Sequence, residues 1–194
     1  MAGAKKKRRG LLVTMEESPM QVVRNSEAFG WGVEELMARG LLEIHHVSPS
    51  ELDIDRHAAE IKEQAESRGA NVVVIDSISA LEMAAPNPDK YRSYLWAIND
   101  HFKRTGVTTI MTAESARLFE ALDFAPQHVS LFADNIILLR SIEVDGENKR
   151  IISVPKMRGS PHDRFARELI IDAPTITVGP PFTQLGSEDR TGGG

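Results

Sequence analysis

Four consecutive apolar residues, Val72 to Ile75, run into a carboxylate at Asp76, and hydroxyls follow at Ser77 and Ser79. An unbroken β-branched run of this length predicts a strand covered on both faces, as in a parallel sheet flanked by helices. Ligands of open α/β sheets bind beyond the carboxyl ends of the strands. An Asp at such an end is the group with which a nucleotide-hydrolysing site holds Mg²⁺, directly or through water. This is the Walker B pattern, and it has a plain alternative, because a strand-end Asp also caps the helix that follows. Two further pairs carry charge at informative places: Glu16 and Glu17 after a short apolar stretch, and Lys156 and Arg158 with one residue between them. The six histidines show no metal spacing such as HExxH, and His45 and His46 alternate across a strand, so none is assigned to a metal.

The elements that must position these groups alternate along the chain. Leu11 to Met15 reads as a short strand, and Ser18-Pro19 offers a helix N-cap with proline at the first helical position. That helix is expected to carry Met20 to Phe29 and stop at Gly30. A second short helix, Val33 to Ala38, precedes a strand from Leu41 to Val47. Asp55 to Arg68 is an amphipathic helix with Ile61 and Ala65 on one face, ending at Gly69 before the Walker B strand. Lys90 to Arg104 places Tyr94, Leu95, Ile98 and Phe102 on a buried stripe, and Val107 to Thr112 returns as a strand. From Ala133 the pattern changes to successive strand-like runs, Asn135 to Ile142, Lys149 to Pro155, Glu168 to Ile171 and Thr175 to Val178, with Asp145-Gly146 as a hairpin turn. The expectation is an α/β core with a mostly parallel sheet flanked by helices and extended by antiparallel C-terminal edge strands.

Composition limits the function classes. A chain of 194 residues with 41% hydrophobic residues can bury one ordinary core, and a formal net charge of -5 argues against binding dominated by nucleic-acid phosphates. There are no cysteines, so disulfides, thiolate metal sites and a cysteine nucleophile are excluded. No apolar stretch approaches the roughly 20 residues that cross a bilayer. The expected location is the cytoplasm, with residues 10–181 as one domain between a basic disordered tail, 1–9, and a polar one, 182–194.

The order of motifs resembles a KaiC-type domain of the RecA superfamily of ATPases. The resemblance rests on MEESPMQVVRNSEAFGW (Met15 to Trp31), VVVIDSIS, TTIMTAES (Thr108 to Ser115), ADNIILLR (Ala133 to Arg140) and PKMRGSPHD (Pro155 to Asp163), in register from about Gly10 to Pro181. It implies ATP and Mg²⁺ as ligands, with Glu16 and Glu17 as paired catalytic carboxylates, one of which polarises the attacking water. Their alternative is to favour the positive end of a helix. It further implies that Asp76 is the Mg²⁺-associated carboxylate and that Ser77 contacts the phosphate or metal region. Glu114 matches a position that senses the site, with a surface helix cap as its alternative. Lys156 and Arg158 match a pair that reaches the nucleotide of a neighbouring subunit, which implies a ring, commonly a hexamer; two cations on one strand face also serve as edge protection. Phe29 and Trp31 are expected in the core.

One family element has no counterpart in the sequence. These 194 residues contain no GxxxxGKS/T phosphate loop, and MAGAKKKRRG stands before the first strand. A flexible basic run lacks the preorganised N–H cradle of that loop. The expectation is therefore an N-terminally truncated RecA-like domain that binds ATP weakly, hydrolyses it barely, and is marginally stable unless another polypeptide completes its sheet. Three functions follow: an ATPase or autokinase domain of KaiC type; a non-catalytic interaction module that joins rings of full-length KaiC-like proteins; and, disfavoured by the acidic balance, a DNA-recombinase-like protein. No segment of the chain can be equated with phosphoacceptor sites.

Overall fold

The apolar runs that begin at Gly10 assemble side by side into a parallel sheet whose helices supply the crossovers. The structure, a computed structural model, describes residues 8–48, 50, 52–114 and 132–182. The elements are β1 (Gly10–Thr14), α1 (Pro19–Glu27), α2 (Val33–Ala38), β2 (Leu42–His46), α3 (Ile54–Arg68), β3 (Val72–Asp76), α4 (Ile78–Ala84), α5 (Pro88–Thr105), β4 (Thr108–Met111), β5 (Asn135–Val144), β6 (Glu147–Met157), β7 (Arg167–Asp172) and β8 (Thr175–Pro181). They form two compact units that divide at residues 128 and 129. The expected terminal tails lie almost wholly outside the described residues, and Ser115 lies outside them too.

In the first unit the strand order is β2-β1-β3-β4, all parallel. The pairing sets Leu11 beside Val73 and Val13 beside Ile75, and all four are buried. Helix α3 lies over this face, with Gln64 reaching His45 and Arg68 reaching Glu43. Helix α5 packs on α3 and buries Tyr91, Tyr94, Leu95, Ile98 and Phe102, the i, i+3, i+4, i+7 stripe expected of an amphipathic helix. The expectation that Val72 to Ile75 is covered on both faces needs correction. Among the described residues burial alternates along β3, and on the opposite face Val72 and Val74 are half-buried while Ile110 of the neighbouring strand is 50% exposed. A run that is apolar at every position hides which face a helix takes.

Local chemistry fixes the ends of the helices. Ser18 and Gln21 form a reciprocal capping box with Pro19 at the first helical position. Asp53 accepts from the N–H groups of Asp55 and Arg56 at 3.1 and 3.0 Å, and the Arg56 bond heads the causes that hold its carboxyl below the usual range. Gly69 and Gly106 close α3 and α5 at positive φ. Helix α1 stops at Glu27, two residues short of its expected end.

The second unit is an antiparallel sheet in the order β5-β6-β7-β8. Asp145 and Gly146 both take positive φ, 51° and 80°, and join β5 to β6 through the two-residue turn expected from the sequence. A bulge interrupts the β5–β6 ladder between Ile136 and Leu138.

Candidate functional site at the strand tips

Beyond the ladders, three backbone bonds clip the carboxyl ends of β1, β3 and β4 together. Met15 N–H donates to Asp76 O at 3.0 Å, Thr112 N–H donates to Ile75 O at 3.0 Å, and Ile78 N–H donates to Thr112 O at 2.9 Å. Polar side chains stand at or next to these clipped positions, so the carboxylates of Glu16 and Asp76 and the hydroxyls of Ser77 and Thr112 gather at one edge. Ser77 Oγ donates to Glu16 Oε1 at 3.1 Å across 61 positions of chain. The same oxygen accepts from Ala80 N–H at 3.4 Å as the N-cap of α4. The Thr112 hydroxyl donates to Asp76 Oδ1. The Asp76–Ser77 peptide is cis.

The two glutamates are held differently. Buried Thr14 accepts Glu17 N–H at 3.2 Å and donates to Glu17 O at 3.1 Å, which fixes the turn after β1. The Glu17 carboxylate is tied to α1 by Asn25 Nδ2 at 2.9 Å. Glu16 is exposed and faces Ser77. Of this pair, Glu16 is therefore the carboxylate that shares a hydrogen-bonded edge with the Asp76 strand.

The other sequence-derived residues stand as follows. Glu114 is exposed, and its N–H is held by Ser79 Oγ at 2.9 Å. Lys156 and Arg158 belong to the second unit, Lys156 within β6 opposite Ile136 and Arg158 just past its last residue. Arg158 is anchored to Asp134 through backbone, 3.0 Å, and side chain, 3.6 Å. Phe29 and Trp31 stack at 4.9 Å, but Trp31 is 54% exposed and Phe29 only half-buried, not core. Gly30 and Gly32, both at positive φ, turn the chain out of α1 and present the indole to solvent. Sequence reasoning missed Thr112 and gave Ser79 and Asn25 no contact; each is a short polar residue within or beside a recognised motif, which is the signal that was there.

Among the described residues no group of three His, Cys, Asp or Glu is arranged to hold a metal ion. In phosphate sites Mg²⁺ is held by one or two carboxylates together with waters and substrate phosphates; Asp76, which accepts the Thr112 hydroxyl, and Glu16, which accepts the Ser77 hydroxyl, are the carboxylates at this edge that would face it. No described helix is long and apolar enough to cross a membrane.

The family described as "ATPase: KaiC" matches residues 1–182. A circadian clock protein KaiC3 of Synechocystis sp. is 32% identical over 179 residues, covering 91% of this chain and 35% of that protein. Circadian clock oscillator proteins KaiC of Synechococcus elongatus and Thermostichus vulcanus are 33% and 34% identical, over 85% and 87% of this chain. The chain spans about a third of the length of these relatives.

Proposed function

Because the chain belongs to the KaiC family of RecA-type ATPases, we propose that it supplies the hydrolytic half of an ATP site. Its phosphate cradle comes from residues beyond these 194 or from a partner subunit. In this reading residues 10–181 work as one ATPase domain in the cytoplasm. Mg²⁺, when bound with the nucleotide, neutralises charge developing on the phosphates. Asp76 holds that ion, directly or through water, and Thr112 fixes the carboxylate that does so. Glu16 orients the attacking water and accepts its proton, while Glu17, tied to Asn25, keeps the turn in place. Ser77 aligns Glu16 and lies beside the phosphates, and Glu114 senses the site from the next strand end. Lys156 and Arg158 act in trans on the nucleotide of a neighbouring subunit, in a hexameric ring or in an assembly with other KaiC-like chains.

The observation that carries the proposal is the Ser77–Glu16 bond together with the Thr112–Asp76 bond across three clipped strand tips. Titration with Mn²⁺-ATP followed by NMR tests it. The paramagnetic ion is expected to broaden the amides of Glu16, Ser77 and Thr112 before all others, and Asp76→Asn to remove that preference. Uniform broadening, or broadening centred elsewhere, sinks it. A second reading is a non-catalytic module that completes rings of full-length relatives. Titration of the isolated chain with Mg-ATP separates the two. Weak, millimolar binding suits either reading, whereas no detectable binding, coupled with co-assembly with a loop-bearing relative, selects the module. Micromolar affinity overturns the idea that the cradle lies elsewhere.

A further inference from the structure

The covered face of the parallel sheet contains a polar cluster that the ATPase reading does not use. His57, on α3, is 2% exposed. One ring nitrogen, Nδ1, shares a hydrogen bond with Tyr94 Oη of α5 at 3.1 Å, and the rings lie nearly parallel with centroids 5.8 Å apart. His45 of β2 faces it from the sheet with centroids 6.5 Å apart. Gln64 Nε2, again on α3, bonds His45 Nδ1 at 3.2 Å. Three buried polar atoms of this cluster have no partner: His57 Nε2, His45 Nε2 and Gln64 Oε1.

The cluster is arranged for a neutral His57 ring. In an imidazolium at His57 both nitrogens are donors, and Nε2 faces interior with nothing to receive its proton. Among the described residues, the titratable groups facing His57 are His45 from β2 and Tyr94 from α5, and neither is a carboxylate. On α3 itself, Asp53 caps the helix and Glu60 pairs with Arg56 at 3.4 Å. Beyond these, Glu43 pairs with Arg68 at 2.6 Å and Asp55 with Lys90 at 2.7 Å.

We propose that His57, stacked between His45 and Tyr94, is a proton-sensitive latch, which holds the α3–α5 layer on β2 at neutral pH and weakens that hold under mild acid. Burial first, and the neighbouring His45 second, push the His57 imidazole down from 6.5 to about 4. A depressed histidine leaves stability whole above the unfolded value, and the protein loses it as pH falls below 6.5, because the unfolded or opened chain takes the proton that the closed one refuses. The loss levels off near pH 4. For one such group the opening equilibrium shifts about 30-fold between pH 8 and pH 5. The layer lies over β1, which ends at Thr14, two residues before Glu16, so loosening it reaches the strand that leads into the two glutamates. The latch rests on buried His57 and the rings that face it, and stands whether or not the chain hydrolyses ATP.

Urea unfolding of the full chain between pH 8 and pH 5, beside His57→Gln, tests this. The wild type is expected to lose stability toward acid with a component that the variant lacks; the same pH dependence in both overturns the latch. Should the variant not fold, proton NMR of the wild-type imidazoles decides: the His57 ring is expected to stay neutral down to pH 5 in the native protein, and titration near 6.5 overturns the proposal. Amide hydrogen exchange locates the opening. Faster exchange on acidification is expected in α3 and α5 ahead of β5–β8, and a uniform increase across the chain counts against a local release.

Discussion

The two sheets solve the same burial problem to different degrees. In the parallel unit one face is shut by α3 and α5, and Val13, Ile61, Val73, Ile75, Leu95 and Ile98 are fully buried. In the antiparallel unit, among the described residues, Phe132 and Ile151 are the buried apolar side chains, while Ile137 and Leu139 are 63% and 61% exposed and Ile176 and Val178 are exposed as well. The first unit owns a core; the second is a set of backbone ladders with apolar side chains still facing out. Hydrogen-bonded pairing alone holds such a sheet weakly, because most stabilisation comes from apolar surface removed from water. The contrast also separates chemistry: the carboxylates sit at the tips of the well-anchored sheet, and the two cations of the sequence motif sit on the open one.

The largest effect that could break this contrast comes from the closed core. Leu95→Ala is expected to cost about 2–5 kcal/mol, as for other buried leucines, read as a lower urea midpoint; a loss below about 1 kcal/mol would mean that the α5 stripe does not carry the unit. Next comes the polar tip. Thr14→Val keeps the shape of the side chain but strands the Glu17 N–H and carbonyl, for about 1–3 kcal/mol. In the same variant, NMR is expected to show the Glu16 and Glu17 amides shifting most. The smallest effect is on the open sheet: Leu139→Thr should change stability by less than about 0.5 kcal/mol. A Leu139 effect as large as that of Leu95 would show that the open face is covered in solution and erase the distinction.

Much of the fold was legible because its signals are local. The Ser18-Pro19 cap, the α5 stripe, the Asp145-Gly146 turn and the β-branched run into Asp76 each lie within a few residues and each appears in the structure. What escaped depends on contacts between distant segments. Helix α4, seven residues from Ile78 to Ala84, is too short for a period to emerge, and it exists because Ser77 caps it and Ile78 and Leu81 are buried. The exposure of Trp31 follows from two glycines at positive φ, whereas composition reads only an aromatic residue. The Thr112–Asp76 and Ser77–Glu16 bonds join positions 36 and 61 residues apart, so the residue types were visible and their meeting was not.

Ser77 has a consequence of its own. A single hydroxyl oxygen both opens a helix and steadies a glutamate, giving its one hydrogen away while its lone pair receives the amide of Ala80. Aspartate, ordinarily an equal at beginning helices, would satisfy the amide yet bring a second negative group against Glu16, with no hydrogen to offer. At this position, what the helix tolerates and what the acidic edge tolerates are two different vocabularies, and the hydroxyl is a word that belongs to both.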